Sequence, residues 1–344
     1  SCEQKYIRMK QLSIKDIARM VGVVPSTVSF VINGKEKEMR ISEEMADKIR
    51  KTIKETGYVP NRSAASLRTG KTHVIGLIVE DISNSFFSML AKAIEDMAYK
   101  AGYRVVYCST ENDDKKGTEL IKMLSKQVDG FIITPSSGMK EEVIKLKKSK
   151  KPVVLLDRYF ADVDLPCVLV NNKGSISKGV ELLVQKGYKK IAFVVTALDQ
   201  MQMKERLSAF QHSIKKSGLY QSRFILKLPF STEDSAYETG IRTFLEKNED
   251  VDALFFATNY LSIDGLKVLQ QLKWKIPDRV AVLSFDDHEI FKLYSPAITA
   301  INQPIAEIAR QGVEILTQYM HEQVNGKKDE ALLLDAELIP RESL

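Results

Sequence analysis

Residues 13–34 carry the pattern that most limits what this chain can fold into: two short helices joined at a single glycine. Ile14, Ile17, Ala18 and Val21 recur at i, i+3, i+4 and i+7, which makes one apolar face. Ser13 stands where a helix needs a cap, and Asp16 three residues later completes a capping-box variant. Gly22 permits a sharp turn, and the small Ala18 lets a second helix cross closely. In the next segment Val28, Val31 and Ile32 share an inward face, leaving Ser26, Thr27, Phe30 and Asn33 on the opposite one. Two helices this short can each bury one side and offer the other to a groove of duplex DNA, the logic of a helix-turn-helix. A third helix is predicted from about Ile41 to Thr56, with Ser42 near its start and Gly57 at its end. Met45, Ile49 and Ile53 would close a small core over the first two.

The charge agrees with that reading. Residues 1–71 hold 15 Lys and Arg against 8 Asp and Glu, whereas residues 72–344 hold 36 against 37. All of the net charge of +6 therefore sits on the segment bearing the helix pair, as attraction to a polyanion requires. At 344 residues the chain exceeds one comfortable core, so two or three domains are expected. Cys2, Cys108 and Cys167 are odd in number and far apart, which argues against a disulfide framework and against a paired-ligand zinc site. The longest apolar stretches, such as Val74–Val79 and Ala253–Ala257, are of strand length and do not span a bilayer. Residues 1–12 lack the apolar run of a signal peptide, so a cytoplasmic location is expected and no membrane partner; no function is assigned to this extension.

Beyond the third helix, Pro60 stops what precedes it, and Asn61 could cap a short helix over 62–68 that ends at Gly70. Such a helix is well below the ~12–15 residues needed for stability alone. From residue 73 the pattern changes to alternating strands and helices. Apolar runs at 73–79, 103–108, 130–134, 153–156 and 168–170 are followed by a second set at 191–195, 224–228, 253–256, 280–285 and 298–301. Amphipathic segments separate them, which predicts buried parallel sheets covered by helices. The predicted class is α/β: a three-helix head and hinge helix, then two doubly wound parallel-sheet subdomains with a cleft between them. The long helix near Pro304–Gln323 comes late, so the chain is expected to recross between subdomains before finishing. Phe86 and Phe87 open a helix after the first strand, at the edge of that cleft.

The ordered motifs Ile14–Gly22, Pro25–Gly34, Gly57–Asn61, Ser66–Gly70 and Asp81–Phe87 resemble those of the lactose/galactose-repressor family of bacterial transcription regulators. Val128-Asp129-Gly130, Leu156-Asp157-Arg158, Ser284-Phe285-Asp286 and Asn302-Gln303-Pro304 extend the resemblance over residues 13–344. It implies a core like that of periplasmic sugar-binding proteins and a repressor acting as a homodimer on a pseudo-palindromic operator, controlled by a small sugar-like effector without a cofactor or metal. The implied boundaries are an extension at 1–12, a head at 13–58, a hinge at 59–71, one effector subdomain at 72–171 with 302–331, and another at 172–301 with 332–344.

Helix geometry turns Ser26, Thr27 and Phe30 toward base edges, with Ser29 and Asn33 nearer the phosphates; the resemblance puts base reading at Pro25, Ser26 and Phe30. Many relatives carry Arg or His where this chain has Phe30, which can meet a thymine methyl but cannot grip guanine in a bidentate contact. Val24 also departs from the family, where Ser commonly caps the recognition helix; Pro25 at the first helical position offsets part of that loss. The resemblance makes Leu67 a minor-groove wedge, with Arg62 and Arg68 flanking it on the backbone. Asp157, Arg206, Phe230 and Asp286 match effector-contacting positions, while Asn171 and Asn259 stand where relatives often have Asp. Gln200, Gln202 and Met203 fill a loop that varies with ligand, and a neutral or acidic sugar derivative is favoured over a purine. The absence of a heptad stretch after the core favours a dimer over a tetramer.

Two rivals of other classes share such a core. An enzyme on a doubly wound fold would want a glycine-rich phosphate turn after Ile75–Val79 or a metal cluster. The sequence shows no such turn, and His73, His212, His288 and His321 have no metal-ligand spacing. A soluble sugar receptor with no DNA role would have no use for the basic helix pair.

Overall fold

The computed structural model describes residues 12–59, 70–231, 233, 235–321 and 331–344. It divides into two compact units, residues 1–72 and 73–344.

The first unit is built on α1 (Ile14–Val21), α2 (Pro25–Ile32) and α3 (Glu43–Thr56). Ser13 caps α1: its hydroxyl accepts from the Asp16 amide, and the Asp16 carboxylate returns a bond to the Ser13 amide. Gly22 ends the helix in the left-handed region at φ +82°, where a side chain would be strained. Pro25 opens α2, and Val24 supplies no side-chain cap. Helices of this length do not persist alone, so packing must hold them. Ile17, Val28, Ala46 and Ile49 are fully buried at the centre, with Ala18, Val21 and Val31 around them.

The second unit contains two six-stranded sheets. The first orders its strands β11-β5-β4-β3-β1-β2, the second β12-β10-β9-β8-β6-β7. The first lobe comprises β1 (Val74–Val79), β2 (Arg104–Ser109), β3 (Gly130–Ile133), β4 (Val153–Leu156), β5 (Cys167–Val170) and β11 (Ala331–Leu334). The other lobe comprises β6 (Ile191–Thr196), β7 (Ile225–Leu228), β8 (Ala253–Phe256), β9 (Ala281–Phe285), β10 (Thr299–Asn302) and β12 (Glu337–Ile339). Among the described residues every strand pairing is parallel except that of β10 with β12. Strands such as β3, β4 and β8 are buried along their whole length, the mark of sheets covered on both faces.

The ten strands read from sequence each have their counterpart here. The sixth strand of each sheet comes from the C-terminal segment. This corrects the expected boundary, which gave residues 332–344 to the second lobe. Leu332, Leu333 and Leu334 pair in register with Val168, Leu169 and Val170, so β11 completes the first sheet and the last crossing falls at 335–336. Asn302, expected in the first lobe, pairs with Glu337 in the second sheet. The late helix α12 (Ile305–His321) packs against β3, β4 and the first helix of the first lobe, α4 (Ser85–Lys100), as recrossing requires.

The two sheets have the same strand order, so β4 and β9 occupy equivalent central places. Each is followed by an aspartate in the left-handed region, Asp157 at φ +65° and Asp286 at φ +70°. An ordinary L-residue avoids that conformation, whereas Asp tolerates it better than most. This pair of strand-end turns is the architectural signature around which the cleft is built.

Candidate functional site

The head presents Pro25, Ser26 and Asn33 to solvent, with Thr27, Ser29 and Phe30 half-buried on the same helix. The Asn33 amide donates to the Ser29 carbonyl at 2.6 Å, which ties the end of α2 to its own last turn. Arg19, with its side chain 82% exposed, and exposed Lys35 and Lys37 add positive charge around this unit. Polar side chains on a short helix beside exposed cations fit the groove-and-phosphate chemistry expected of them. Leu67, Arg62 and Arg68 lie outside the described residues.

In the second unit the strand ends converge on a small cleft. From the first lobe it is lined by Glu80 at the end of β1, Phe86 and Phe87 on α4, and Asp157 and Arg158 after β4. From the other come Met203 and Arg206 on α8 (Met201–Lys216), Tyr260 on α10 (Asn259–Gln271), and Asp286 after β9. Gln303, which follows β10, also lines it.

Arg206 is buried and held on several sides. Its Nε donates to Asn172 Oδ1 at 2.9 Å, Nη1 donates to the Ala257 carbonyl at 2.8 Å, and Asp286 Oδ2 lies 3.9 Å away. Its guanidinium lies 3.6 Å from the centre of the Phe285 ring, a cation–π contact that fixes the plane. Asp286 also accepts from Gln303 Nε2 at 2.5 Å. The other oxygen-bearing end of that amide, Gln303 Oε1, is buried with no hydrogen-bond partner among the described residues. A buried acceptor without a donor is costly, so this oxygen is poised to receive one from a ligand.

Arg158 is the second buried cation. It pairs with Glu80, both side chains being 5% exposed. Its Nε lies 3.3 Å from Asp157 Oδ2, and Nη1 donates to Asn112 Oδ1 at 3.2 Å. With its amide turned to match donor to acceptor, Gln202 accepts from Arg158 as well. Burial raises the proton affinity of Asp157 and of Asp286 above the ordinary carboxylate range; the neighbouring arginines oppose this without cancelling it.

Phe86 and Phe87 line the cleft and also belong to the core, their rings 5.0 Å apart and edge to face. Asp157, Arg206 and Asp286 line it too. Asn259 and Phe230 do not. Asn259 is buried at the seam between lobes, its Nδ2 donating to Ser85 Oγ at 2.9 Å and to Asn84 Oδ1 at 3.3 Å. Phe230 is half-buried in the segment after β7. Sequence reasoning missed Glu80 and Tyr260. Arg158 and Gln303 stood inside quoted motifs without a role. Their signal was position: each follows or faces a strand end, where side chains meet the cleft. Among the described residues no group of acidic, His and Cys side chains could hold a metal.

Comparison with known proteins adds sequence relationship to this geometry. The pattern of bacterial regulatory proteins of the lacI family matches residues 13–61, and that of the periplasmic binding protein-like domain matches residues 180–344. The chain is 32% identical to the HTH-type transcriptional regulator RegA of Clostridium saccharobutylicum, covering 96% of this chain and 98% of that one. It is 31% identical to catabolite control protein A of Priestia megaterium, covering 91% and 93%. Among solved structures, the Lac repressor bound to ONPG in its repressed state superimposes with a TM-score of 0.84 at 21% identity, covering 97% and 100%.

Proposed function

The chain belongs to the lacI family of bacterial regulatory proteins, DNA-binding transcriptional regulators and not enzymes, and on that premise we propose that it is an effector-controlled repressor acting as a homodimer on a pseudo-palindromic operator. Pro25, Ser26, Thr27 and Phe30 read bases, Ser29, Asn33, Arg62 and Arg68 meet the backbone, and Leu67 wedges into the minor groove at the centre of the site. A sugar or sugar derivative occupies the cleft among Phe86, Phe87, Asp157, Arg206 and Asp286. It changes the relation of the lobes and thereby operator affinity, with DNA changing effector affinity by the same factor.

One observation carries the effector reading: buried acceptors and donors converge on aromatic faces at the strand ends, and Gln303 Oε1 awaits a donor. Stacking faces with directed polar groups are what a hydroxyl-rich ring requires. The dimer is supported by apolar side chains left in solvent. Val106 and Tyr107 on the edge strand β2 are 43% and 55% exposed, and Leu293 on α11 (Glu289–Leu293) is 83% exposed. No described helix is long and apolar enough to cross a membrane.

The test is selection of operators from random duplex DNA followed by titration of the selected site with and without candidate sugars. A two-fold-related site and a sugar-dependent change in affinity are expected. Retention that is indifferent to sequence at every salt concentration refutes the proposal.

A further inference from the structure

We infer that the end of the first lobe at which the chain enters is a second cationic surface, one that holds the phosphates flanking the operator. This rests on the DNA-binding reading above and adds to it a contact outside the head. The near-balance of charge over residues 72–344 conceals the surface, because that balance averages over every face of both lobes.

In a parallel sheet all strands start at one end, and the helices between them return the chain to it. In the first lobe that end holds the entry at His73 and three turns. They are 100–104 leading into β2, 125–129 after α5 (Asp114–Leu124), and 147–152, where α6 (Lys140–Lys148) gives way to β4. The His73 amide donates to Asp129 Oδ2 at 2.8 Å, and the Arg104 amide donates to the His73 carbonyl at 2.9 Å. Lys151 Nζ donates to the Val128 carbonyl at 2.8 Å. The entry and the three turns therefore form one continuous face. The turns carry seven Lys and Arg against a single Asp. That Asp129 is bonded to the chain entry, and Asp164 pairs with Lys147 at 3.6 Å. Lys100, Lys126, Lys148 and Lys150 are exposed and have no ion-pair partner among the described residues. The remaining connection at this end, 322–330, lies outside the described residues.

Helix C-termini favour cations through the helix dipole, which accounts for Lys100, Lys147 and Lys148. Lys126 and Lys150 stand beyond the ends of α5 and α6. Lys150 adopts φ +58°, the left-handed conformation that Gly102 supplies after α4, so backbone preference does not select a lysine there. Unpaired ammonium groups gathered on one face repel one another, and a row of phosphates relieves that repulsion. The polyanion is duplex DNA because the segment that leads to the head leaves from this same end at His73. A duplex gripped by the head is thereby tethered to this face, and its flanks carry phosphates without sequence information, which is all that lysines in turns can read.

The experiment is fluorescence anisotropy of the full chain on two duplexes over a range of salt. One carries the selected operator alone; the other extends it on each side by about one helical turn, ~10 base pairs of arbitrary sequence. The parent should bind the extended duplex at least about tenfold more tightly at low salt, and the slope of log affinity against log salt should steepen by about 1 or more. The triple variant Lys126→Gln, Lys148→Gln, Lys150→Gln should lose most of that gain while binding the bare operator as the parent does. A control carries Lys186→Gln, Lys216→Gln and Lys273→Gln, which removes the same charge from exposed positions near the strand starts of the other lobe. It should keep the gain. Circular dichroism checks that all three chains are folded. No gain from the flanks in the parent overturns the inference. A gain that the first variant keeps is an end effect of the polyanion and overturns it too, as does an equal loss in the control. Failure of the parent to select any operator removes the repressor reading itself, and this inference falls with it.

Discussion

Removing the Glu80 carboxylate tests whether Arg158 is a spent cation. Both side chains are 5% exposed, so Glu80→Ala leaves a guanidinium buried without its ion-pair partner. Breaking a buried pair on one side costs on the order of 3–5 kcal/mol. Asp157, Asn112 and Gln202 still face Arg158, so the loss should fall at the lower end, about 3 kcal/mol. In a core of this size, that is a drop in Tm of roughly 6 °C. Urea denaturation of the full chain measures the free energy, and differential scanning fluorimetry follows the temperature. The double variant Glu80→Leu with Arg158→Met replaces both charges by apolar groups and should recover to within about 1 kcal/mol of the parent. The freed guanidinium in Glu80→Ala should also acquire a taste for anions, so inorganic phosphate should raise the Tm of Glu80→Ala more than that of the parent chain. A loss below about 1 kcal/mol, or a double variant less stable than Glu80→Ala, would show that the pair is not the desolvated lock described here.

Three further outcomes follow from the same structure. Val24 gives α2 no side-chain cap, so Val24→Ser should raise the stability of the head by about 1 kcal/mol, read in thermal melts of the full chain's first transition; no gain would mean that Pro25 alone sets the helix start. Phe30 cannot make a bidentate contact to guanine, so selected operators should show no essential guanine at the base pair it faces, and Phe30→Arg should create that demand. Burial raises the proton affinities of Asp157 and Asp286 above the ordinary carboxylate value of about 4. Their protonated forms accept fewer hydroxyl donors, so affinity for a neutral sugar should fall as pH drops through that raised range. For stability the sign is opposite: raised folded-state proton affinities weaken the core as pH rises through the window and contribute no acid lability. Calorimetry at successively lower pH checks the first, with Asp286→Asn expected to flatten the curve.

Much of this architecture could be read from periodicity. The capping box at Ser13 and Asp16, the turn at Gly22 and the buried trio Ile17, Val28 and Ile49 are local consequences of short-range pattern, and the structure places them accordingly. The strands of the two lobes announce themselves because burial on both faces demands continuous apolar runs. Strands β11 and β12 do not, since each is an edge strand whose residues are half-buried or exposed rather than buried. Their partners lie more than a hundred residues earlier or across a crossing, which no local pattern encodes. The cleft was half legible for a similar reason. Asp157 and Asp286 are marked by position at strand ends, whereas the engagement of Arg158 by Glu80 joins residues 78 positions apart. Asn259 shows the limit: its sequence place suggested a ligand contact, but three-dimensional packing turns it onto Asn84 and Ser85 across the seam.

The central claim is that one polypeptide reads duplex DNA with its head and couples that reading to a sugar in its cleft. Fluorescence anisotropy of a selected operator, titrated with the full chain over a range of salt and repeated with saturating neutral sugar, measures it directly. Affinity should fall steeply with salt, depend on sequence, and shift with the sugar in the parent but not in Arg206→Ala. An affinity that is the same with and without every cleft-binding sugar would contradict the coupling.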